Sequence, residues 1–127
     1  MLAYTTVGTN DYPKATEFYD ALLGEMGAKR MWQDERFASY GVAMDKPMFA
    51  VCTPDNGAAA TIGNGTMITL NCPDTDMVHK LHERALELGG SCEGKPGPRG
   101  DTGFYISYFR DLDGNKLAAF TIVPPAT

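Results

Sequence analysis

Histidine, a common catalytic residue and metal ligand, is scarce in this chain. The two histidines, His79 and His82, lie three positions apart, so that on a helix both can face one ion. The string HKLHE lacks the residue order of the known zinc-binding helix motifs, however. We therefore expect His82 to be a hydrogen-bonded core residue on the apolar helix face, and His79 to face solvent.

The three cysteines, Cys52, Cys72 and Cys92, are widely spaced and form no C-x-x-C pair. An odd, sparse set favours reduced thiols and a cytoplasmic location over a disulfide framework. Cys72 directly precedes a predicted helix, whose dipole favours a thiolate, but no histidine is predicted beside it. A plain buried or half-exposed thiol is the favoured interpretation. The sequence contains no Ser-His-Asp pattern, phosphate loop or dinucleotide fingerprint.

Candidate binding groups are cationic or aromatic. Arg99, in the stretch GKPGPRGDTG, has the planar guanidinium that suits a carboxylate or phosphate, although a solvated loop cation is the simpler interpretation. Tyr108 can act as a proton donor only where its surroundings tune it, because a phenol is a weak acid. Trp32 and Tyr105 either cap a pocket or pack in the core, and packing is favoured.

Size and charge exclude several classes of protein. A chain of 127 residues with 43% hydrophobic and 21% charged residues is typical of one globular domain, residues 1–127. The net charge of -5, without a Lys/Arg cluster, argues against a nucleic-acid partner. No apolar stretch approaches the roughly 20 residues that span a bilayer, and the first residues do not resemble a signal peptide. A membrane partner is therefore not expected.

The first half of the chain predicts one strand, one helix and three strands. Residues 2–9 are rich in β-branched and aromatic side chains, which favours a strand. Asp11 is a suitable helix cap, and Gly27 a suitable stop. Between them, apolar residues recur at the spacing of one buried helical face: Ala15, Phe18, Tyr19, Leu22, Leu23 and Met26. Strands are then expected at 28–33, 37–42 and 48–52.

The second half predicts the same order after a Gly-rich linker. A strand at 66–71 precedes a helix at 73–88, and a short strand at 91–93 precedes a loop at 94–103. The last strands are expected at 104–110 and 116–122. A shift of 63 positions carries Asp11 to Asp74, Leu23 to Leu86 and Gly27 to Gly90, so that cap, buried face and stop coincide. The chain thus predicts a repeat.

Two tandem βαβββ modules therefore account for the whole chain, which predicts an α+β fold. Module 1 covers about residues 1–53, a linker 54–65, and module 2 about 66–123. Each module is expected to form a curved sheet with its helix on one face, leaving the other face to line a cleft where a ligand enters.

This duplicated pattern resembles the vicinal oxygen chelate superfamily, which includes glyoxalase I, bleomycin resistance proteins and extradiol dioxygenases. The local matches are Asn10-Asp11 leading into a helix with Phe18-Tyr19, Gly27 closing that helix, the Gly63–Gly65 stretch, and the turn RDLDGN at 110–115, similar to the family's RDPDGN. The turn is also a good hairpin connector by itself. It lacks the further oxygen ligands and the terminal Glu of an EF-hand calcium loop.

The resemblance implies a divalent metal held by His, Glu or Gln from the first and last strands of each module. Those positions fall on Tyr4, Phe49, Met67 and Ala118. Phe and Ala have no donor atom, Met sulfur prefers softer metals, and neutral Tyr is an unusual ligand. One-residue slips offer only further non-ligating residues. We therefore predict no catalytic metal and no cofactor.

A metal-free cleft would be lined by aromatic rings, a few hydroxyls and one thioether, which suit a small, partly aromatic ligand. The expected lining consists of Tyr4, Thr6, Phe49, Met67, Thr69, Arg99, Phe104, Tyr108, Ala118 and Phe120. Three hypotheses stay open: a binding or sequestering protein similar to the bleomycin resistance branch; a lyase, isomerase or oxygenase that uses displaced ligands or Tyr/Arg acid–base chemistry; and a scaffold. The resemblance also implies a homodimer with clefts completed across subunits.

Overall fold

The computed structural model describes residues 1–124. Two helices and eight strands follow one another in the predicted order. They are β1 (Tyr4–Gly8), α1 (Tyr12–Gly24), β2 (Lys29–Gln33), β3 (Phe37–Gly41), β4 (Met48–Cys52), β5 (Ile68–Asn71), α2 (Thr75–Glu87), β6 (Ser91–Pro98), β7 (Phe104–Arg110) and β8 (Lys116–Ile122). The two βαβββ modules predicted from the sequence are therefore present.

The eight strands form two four-stranded mixed sheets, one in each module. The first has the order β1-β4-β3-β2 and the second β5-β8-β7-β6. In each sheet the first strand runs parallel to the last strand of its module, and the other neighbours are antiparallel. The edge strands are thus β1 and β2 in one sheet and β5 and β6 in the other.

The helices show the repeat most clearly. Each has 13 residues, and a shift of 63 positions carries the bounds of α1 onto those of α2. Asp11 caps α1 by accepting a 3.2 Å hydrogen bond from the backbone N–H of Lys14, and Asp74 caps α2 through the N–H of Met77 at 3.0 Å. Both caps satisfy N–H groups that the first helical turn leaves unpaired. Neither helix is long and apolar enough to cross a membrane.

Strand β6 is longer than the sequence predicted. The expected strand at 91–93 continues to Pro98, through residues predicted to be a loop. Its pairing with β7 shifts register between Cys92 and Gly94 and again between Gly94 and Gly97. Such irregularities, together with the edge position, explain how a Gly- and Pro-rich segment remains a strand, because an edge strand needs only one side of its backbone paired.

Both modules contribute to a single hydrophobic core, which lies on the helix side of each sheet. In α1 the buried side chains include Tyr19 and Leu22, and in α2 Val78 and Leu81. The two helices also meet through Glu25, whose carboxylate lies 3.1 Å from the Lys80 ammonium and 3.6 Å from the Arg84 guanidinium. The opposite face of each sheet therefore points away from the shared core. We call it the concave face of that module.

The RDLDGN turn joins the modules as well as the last two strands. The Asn115 side-chain amide donates a 2.8 Å hydrogen bond to the Gly8 carbonyl at the end of β1, and Asp113 accepts one of 2.9 Å from the Asn10 N–H. Asn10 also binds the linker, through hydrogen bonds of 2.7 and 3.1 Å to the backbone of Ala60. The turn thus fixes the start of α1 as well as closing a hairpin.

Candidate functional site

The concave face of module 1 follows from the register of its strands. Tyr4 pairs with Met48 and Thr6 with Ala50 across the parallel pair β1/β4. Because side chains alternate between the faces of a sheet, these four share one face, and Val7 and Val51 point into the core. On β2 and β3, Trp32 pairs with Ser39 on the concave side.

Three aromatic rings build a cavity against this face. Phe37 lies at the centre, with its ring centroid 5.9 Å from that of Tyr4 and 5.5 Å from that of Trp32. Both pairs are edge-to-face, a favoured geometry for aromatic contacts. The cavity has a volume of about 390 Å³, and Asp34, Arg36, Ser39 and Met48 complete its lining. We call Tyr4, Trp32 and Phe37 the aromatic triad.

Much of the triad's surface faces solvent. Tyr4 is 53% exposed and Trp32 is 54% exposed, although burying a ring of this size is strongly favourable. Trp32, for which packing was the favoured interpretation, therefore lines a cavity instead. Phe37 and Met48 were not among the predicted lining residues. The predicted strands at 28–33 and 37–42 were the available signal, because the short connection between them places Phe37 on the strand that neighbours Trp32.

Hydrogen bonds to the backbone fix the two charged side chains at the rim of the cavity. The Asp34 carboxylate accepts hydrogen bonds of 2.9 Å from the N–H groups of Arg36 and Phe37. The Arg36 guanidinium donates a 2.8 Å bond to the carbonyl of Thr53 and lies 3.8 Å from the exposed carboxylate of Asp55. One carboxylate and one guanidinium thus stand beside an otherwise apolar site, where they can orient a polar ligand group.

The concave face of module 2 is aromatic and basic. Ala118 pairs with Tyr108 and with Thr69, and Phe120 pairs with Ile106. Phe104 lies on the same face, and its ring meets that of Phe120 edge-to-face at 5.2 Å. Phe104 is 41% exposed, whereas Ala118 is fully buried. The small side chain of Ala118 therefore leaves room for the larger neighbouring side chains and offers a ligand little surface to contact.

Two cations lie close to the ring of Tyr108. The Arg99 guanidinium carbon is 5.3 Å from the centroid of the Tyr108 ring, and the Lys116 ammonium is 5.1 Å from it, distances typical of cation–π contacts. Arg99 donates hydrogen bonds to the carbonyls of Lys95 at 2.9 Å and Gly97 at 3.0 Å. Arg99 lies in the loop directly after β6 and is half-buried, and these hydrogen bonds hold its guanidinium over Tyr108.

Glycine at position 94 allows the Tyr108 ring to approach β6. A Cβ atom at Gly94 would lie 2.7 Å from Cδ2 of Tyr108, which is closer than two carbon atoms pack without repulsion. The neighbouring Arg110 is occupied elsewhere. It pairs with Glu93 at 2.6 Å. The positive charges beside the Tyr108 ring thus belong to Arg99 and Lys116.

The sequence predicted that Phe49 lines the concave face, and this prediction is wrong. Its ring is 6% exposed and lies 4.7 Å from the ring of Tyr19, beneath α1. The edge of Phe49 borders a second, largely apolar groove of about 750 Å³ between module 1 and β5. Met67 and Thr69 lie along the same groove.

The positions that the resemblance assigns to metal ligands do not form a metal site. Phe49 and Ala118 are buried and have no donor atom. The residues of β4 that do share the concave face with Tyr4 are Met48 and Ala50, which are no better ligands for a hard divalent cation. Within residues 1–124, no three His, Cys, Asp or Glu side chains are grouped to hold an ion. The absence of a catalytic metal stays a prediction that elemental analysis can test.

The remaining titratable candidates lie away from both concave faces. His82 is 7% exposed and is a hydrogen-bonded core residue as predicted. His79 faces solvent and lies 2.6 Å from the hydroxyl of Tyr105 on the helix side of β7. Cys72 is 3% exposed, and burial raises the pKa of its thiol. A thiolate at the start of α2 is therefore not favoured.

Comparisons with known proteins agree with this architecture. Residues 1–119 match the family model of the Glyoxalase/Bleomycin resistance protein/Dioxygenase superfamily. A glyoxalase/bleomycin resistance protein from Albidiferax ferrireducens T118 is 33% identical, with a TM-score of 0.85 over 98% of this chain and 99% of that one. A search of curated proteins found no match.

More distant structures share the fold alone. A glyoxalase-related enzyme from Fulvimarina pelagi is 21% identical, with a TM-score of 0.74 over 94% of this chain and 86% of that chain. The fosfomycin resistance protein FosX from Mesorhizobium loti is 19% identical, with a TM-score of 0.67 over 95% and 91% of the two chains. One fold thus carries several named activities, and the site residues must distinguish among them.

Proposed function

Because the chain belongs to the Glyoxalase/Bleomycin resistance protein/Dioxygenase superfamily, we propose that it binds a small, partly aromatic organic acid without a metal ion. The binding surface is formed by the concave faces of the two modules. Binding or sequestration, as in the bleomycin resistance branch, is the activity that this surface supports best. The observation that carries the proposal is the solvent-exposed aromatic triad around a cavity of about 390 Å³.

The triad explains the aromatic part of the ligand. Tyr4 and Trp32 expose about half of their surfaces, and a flat apolar group between them would remove that surface from water. Burial of apolar area contributes roughly 25 cal/mol per Å², and an edge-to-face ring pair contributes about 0.5–1.5 kcal/mol more. The rings select a flat group by shape, and Asp34, Arg36 and Ser39 at the same cavity can orient its polar substituents.

The acidic part of the ligand follows from module 2. Arg99 and Lys116 place two positive charges close to the Tyr108 ring. Arg99 is pre-positioned by its hydrogen bonds to β6 carbonyls, so little side-chain entropy is lost when it binds. A carboxylate above Tyr108 would meet both charges and the phenol hydroxyl.

One ligand contacts both the aromatic triad and the two cations beside Tyr108 when two copies of the chain combine their concave faces. Both faces point away from the core of their own chain, and β1 and β5 are unpaired edge strands. Apolar side chains also line the groove between module 1 and β5 or lie near it in the chain, with Leu2 61%, Val42 60% and Met44 66% exposed. A homodimer covers this apolar surface and brings module 1 of one copy against module 2 of its partner.

A thermal-shift screen tests the proposed ligand class. The probes are aromatic carboxylic acids, the corresponding neutral amides and aliphatic acids of similar size. We expect aromatic acids to raise the melting temperature more than either control set, because a ligand that binds only the folded state stabilises it. The variants Arg99→Met and Lys116→Met should remove the preference for the acid over the amide, while the aromatic preference stays.

Two outcomes would contradict the proposal. In the first, no compound raises the melting temperature at concentrations up to about 1 mM, where even weak binding of about 4 kcal/mol is detectable. In the second, aliphatic acids stabilise the chain as well as aromatic ones do. Sedimentation of the chain tests the dimer separately: a monomer at all concentrations would contradict the shared cleft.

A second candidate function is a lyase, isomerase or oxygenase. The observation that favours it is the pair of cations beside Tyr108, because such charges stabilise an oxyanion that develops during a reaction. Turnover of a bound aromatic acid would support this alternative, and Arg99→Met would then lower kcat more than it raises KM. A ligand recovered unchanged after long incubation supports binding without chemistry.

A further inference from the structure

A cysteine and a histidine form a close pair on the helix side of module 2, away from both concave faces. The Sγ atom of Cys92 on β6 lies 3.2 Å from Nε2 of His82 on α2. In the tautomer with its proton on Nδ1, the imidazole accepts the thiol proton. This is the arrangement in which a histidine acts as a general base toward a cysteine nucleophile.

The two partners differ in exposure in a way that suits such a reaction. His82 is 7% exposed, and burial, followed by the nearby His79, lowers its pKa below the ordinary 6.5. It is therefore a neutral base at physiological pH. Cys92 is exposed, because β6 is the edge strand of its sheet, so a reagent in solution can reach the sulfur.

The other two cysteines lack these features. Cys72 is buried and Cys52 is half-buried, and burial raises the pKa of each thiol. Cys52 lies near Arg36, which lowers its pKa only in part. Neither residue has a histidine hydrogen bond among those found in residues 1–124. Within one chain, Cys52 and Cys72 are therefore internal controls for Cys92.

We propose that Cys92 is a nucleophilic thiol, activated by His82, that exchanges with small disulfides and so is a site of reversible modification. The thiol proton moves to Nε2 of His82, and the thiolate attacks one sulfur of the disulfide. The disulfide S–S bond breaks as the bond to Cys92 forms. With glutathione disulfide the released thiolate takes the proton from the imidazolium, and with an aromatic disulfide, whose thiolate is a weak base, the imidazolium loses that proton to solvent. In both cases Cys92 is oxidised and half of the disulfide is reduced.

The reaction is independent of the proposed ligand site. Cys92 pairs in register with Phe109, which lies in the core, whereas Gly94, two positions further, packs on Tyr108 from the concave side. A group attached to Cys92 therefore extends from the helix side of the edge strand. Loss of aromatic-acid binding would leave this proposal intact, and loss of Cys92 reactivity would leave the ligand site intact.

The test combines rate measurements with peptide mass spectrometry. The protein is mixed with dithiobis(nitrobenzoate), whose released thiolate is coloured, and separately with glutathione disulfide. We expect Cys92 to react first and to carry the glutathionyl group, and Cys92→Ser to remove the fast phase. His82→Gln should slow that phase by about tenfold or more, since it removes the general base. His79→Gln, a matched neighbour, should change it less than about twofold.

Greater exposure alone would make the Cys92 thiol react faster than that of Cys52. A second measurement therefore isolates the contribution of the folded structure to the rate. The rate of Cys92 in the folded protein is compared with that of the same residue in urea, each relative to free glutathione in the same solvent. We expect the folded rate to exceed the unfolded one. A folded rate equal to or below the unfolded one, or a correctly folded His82→Gln variant that reacts as fast as the wild type, would overturn the proposal.

Discussion

The hydroxyl of Tyr19 on α1 donates a 2.5 Å hydrogen bond to the carboxylate of Asp111 in the RDLDGN turn. Tyr19 is fully buried, and Asp111 is 6% exposed. The two sequence motifs that resemble the superfamily most, one in each module, are thus in direct contact. Burial, followed by the adjacent carboxylate, raises the pKa of Tyr19 well above its usual value, so the phenol remains a donor.

Replacing Tyr19 by Phe should destabilise the protein through this contact. The variant leaves a buried carboxylate without one of its donors, which costs about 1–3 kcal/mol. Urea denaturation followed by circular dichroism measures the loss. Tyr12→Phe, on the same helix, removes a hydrogen bond to the Asp34 carbonyl and should cost less than about 0.5 kcal/mol. Equal losses in the two variants would show that the Tyr19–Asp111 contact has no special role.

The same variant should change the dependence of stability on pH. Burial raises the pKa of Asp111 above its usual 3.8, while the hydrogen bond from Tyr19 opposes that rise. In Tyr19→Phe the folded-state pKa of Asp111 is therefore higher still. A group with a raised folded-state pKa contributes stability that is lost as pH rises through that value. The variant should thus be more strongly destabilised near neutral pH than below pH 3.8; a pH-independent loss would contradict this assignment.

The lowered pKa of His82 predicts that the folded protein loses stability in mild acid. Its pKa is lowered by burial from the ordinary 6.5, so the stability linked to its neutral form is complete above that value and is lost as pH falls through the folded-state pKa. The free energy of unfolding of the wild type should decrease relative to that of His82→Gln as the pH is lowered below 6.5. Parallel pH profiles for the two proteins would contradict the prediction.

Gly94→Ala should displace the Tyr108 ring. The added methyl group would lie 2.7 Å from Cδ2 of that ring, and overpacking of this kind costs typically about 1–3 kcal/mol. We expect weaker binding of aromatic acids as well, since the phenol and its two cations shift together. Gly24→Ala is the matched control, because nothing lies within 4 Å of its added Cβ. Unchanged binding by Gly94→Ala would show that the ligand does not contact Tyr108.

The aromatic triad should govern affinity while having little effect on stability. Trp32→Ala should weaken binding of an aromatic acid by at least about tenfold, which corresponds to about 1.4 kcal/mol. Its melting temperature should remain near that of the wild type, since the ring is 54% exposed. Leu86→Ala, an exposed apolar residue on α2 that lies outside the triad and the groove, should not change the affinity. Isothermal titration distinguishes the two effects.

The sequence predicted the modules well because their signals are local. The bounds of β7 and β8 follow from turn residues and alternation, and the helix caps Asp11 and Asp74 are one-residue signals. Strand β6 was missed beyond position 93, because Gly and Pro normally end strands. Its pairing with β7, which is not visible in local composition, keeps the segment extended.

The site was harder to predict, because strand pairing, which local composition does not show, also decides which side chains face the cavity. The segment MFAVC of β4 is apolar at every position. The sequence therefore does not show which of its residues face the core, and Phe49 was assigned to the wrong face. The contact of Trp32 with Phe37 depends on a register shift between Arg30 and Trp32. The position of Arg99 depends on the extended β6. Both are properties of strand pairing between segments.

The most direct test of metal-independent binding is a titration with the strongest aromatic acid from the screen, before and after exhaustive treatment of the protein with EDTA. Metal content is measured on both samples. We predict the same affinity in both, with no stoichiometric metal in either, because Tyr4, Met48, Met67 and Ala118 offer no suitable donor set for a hard cation. Affinity that disappears after EDTA treatment and returns with stoichiometric zinc or manganese would contradict the account.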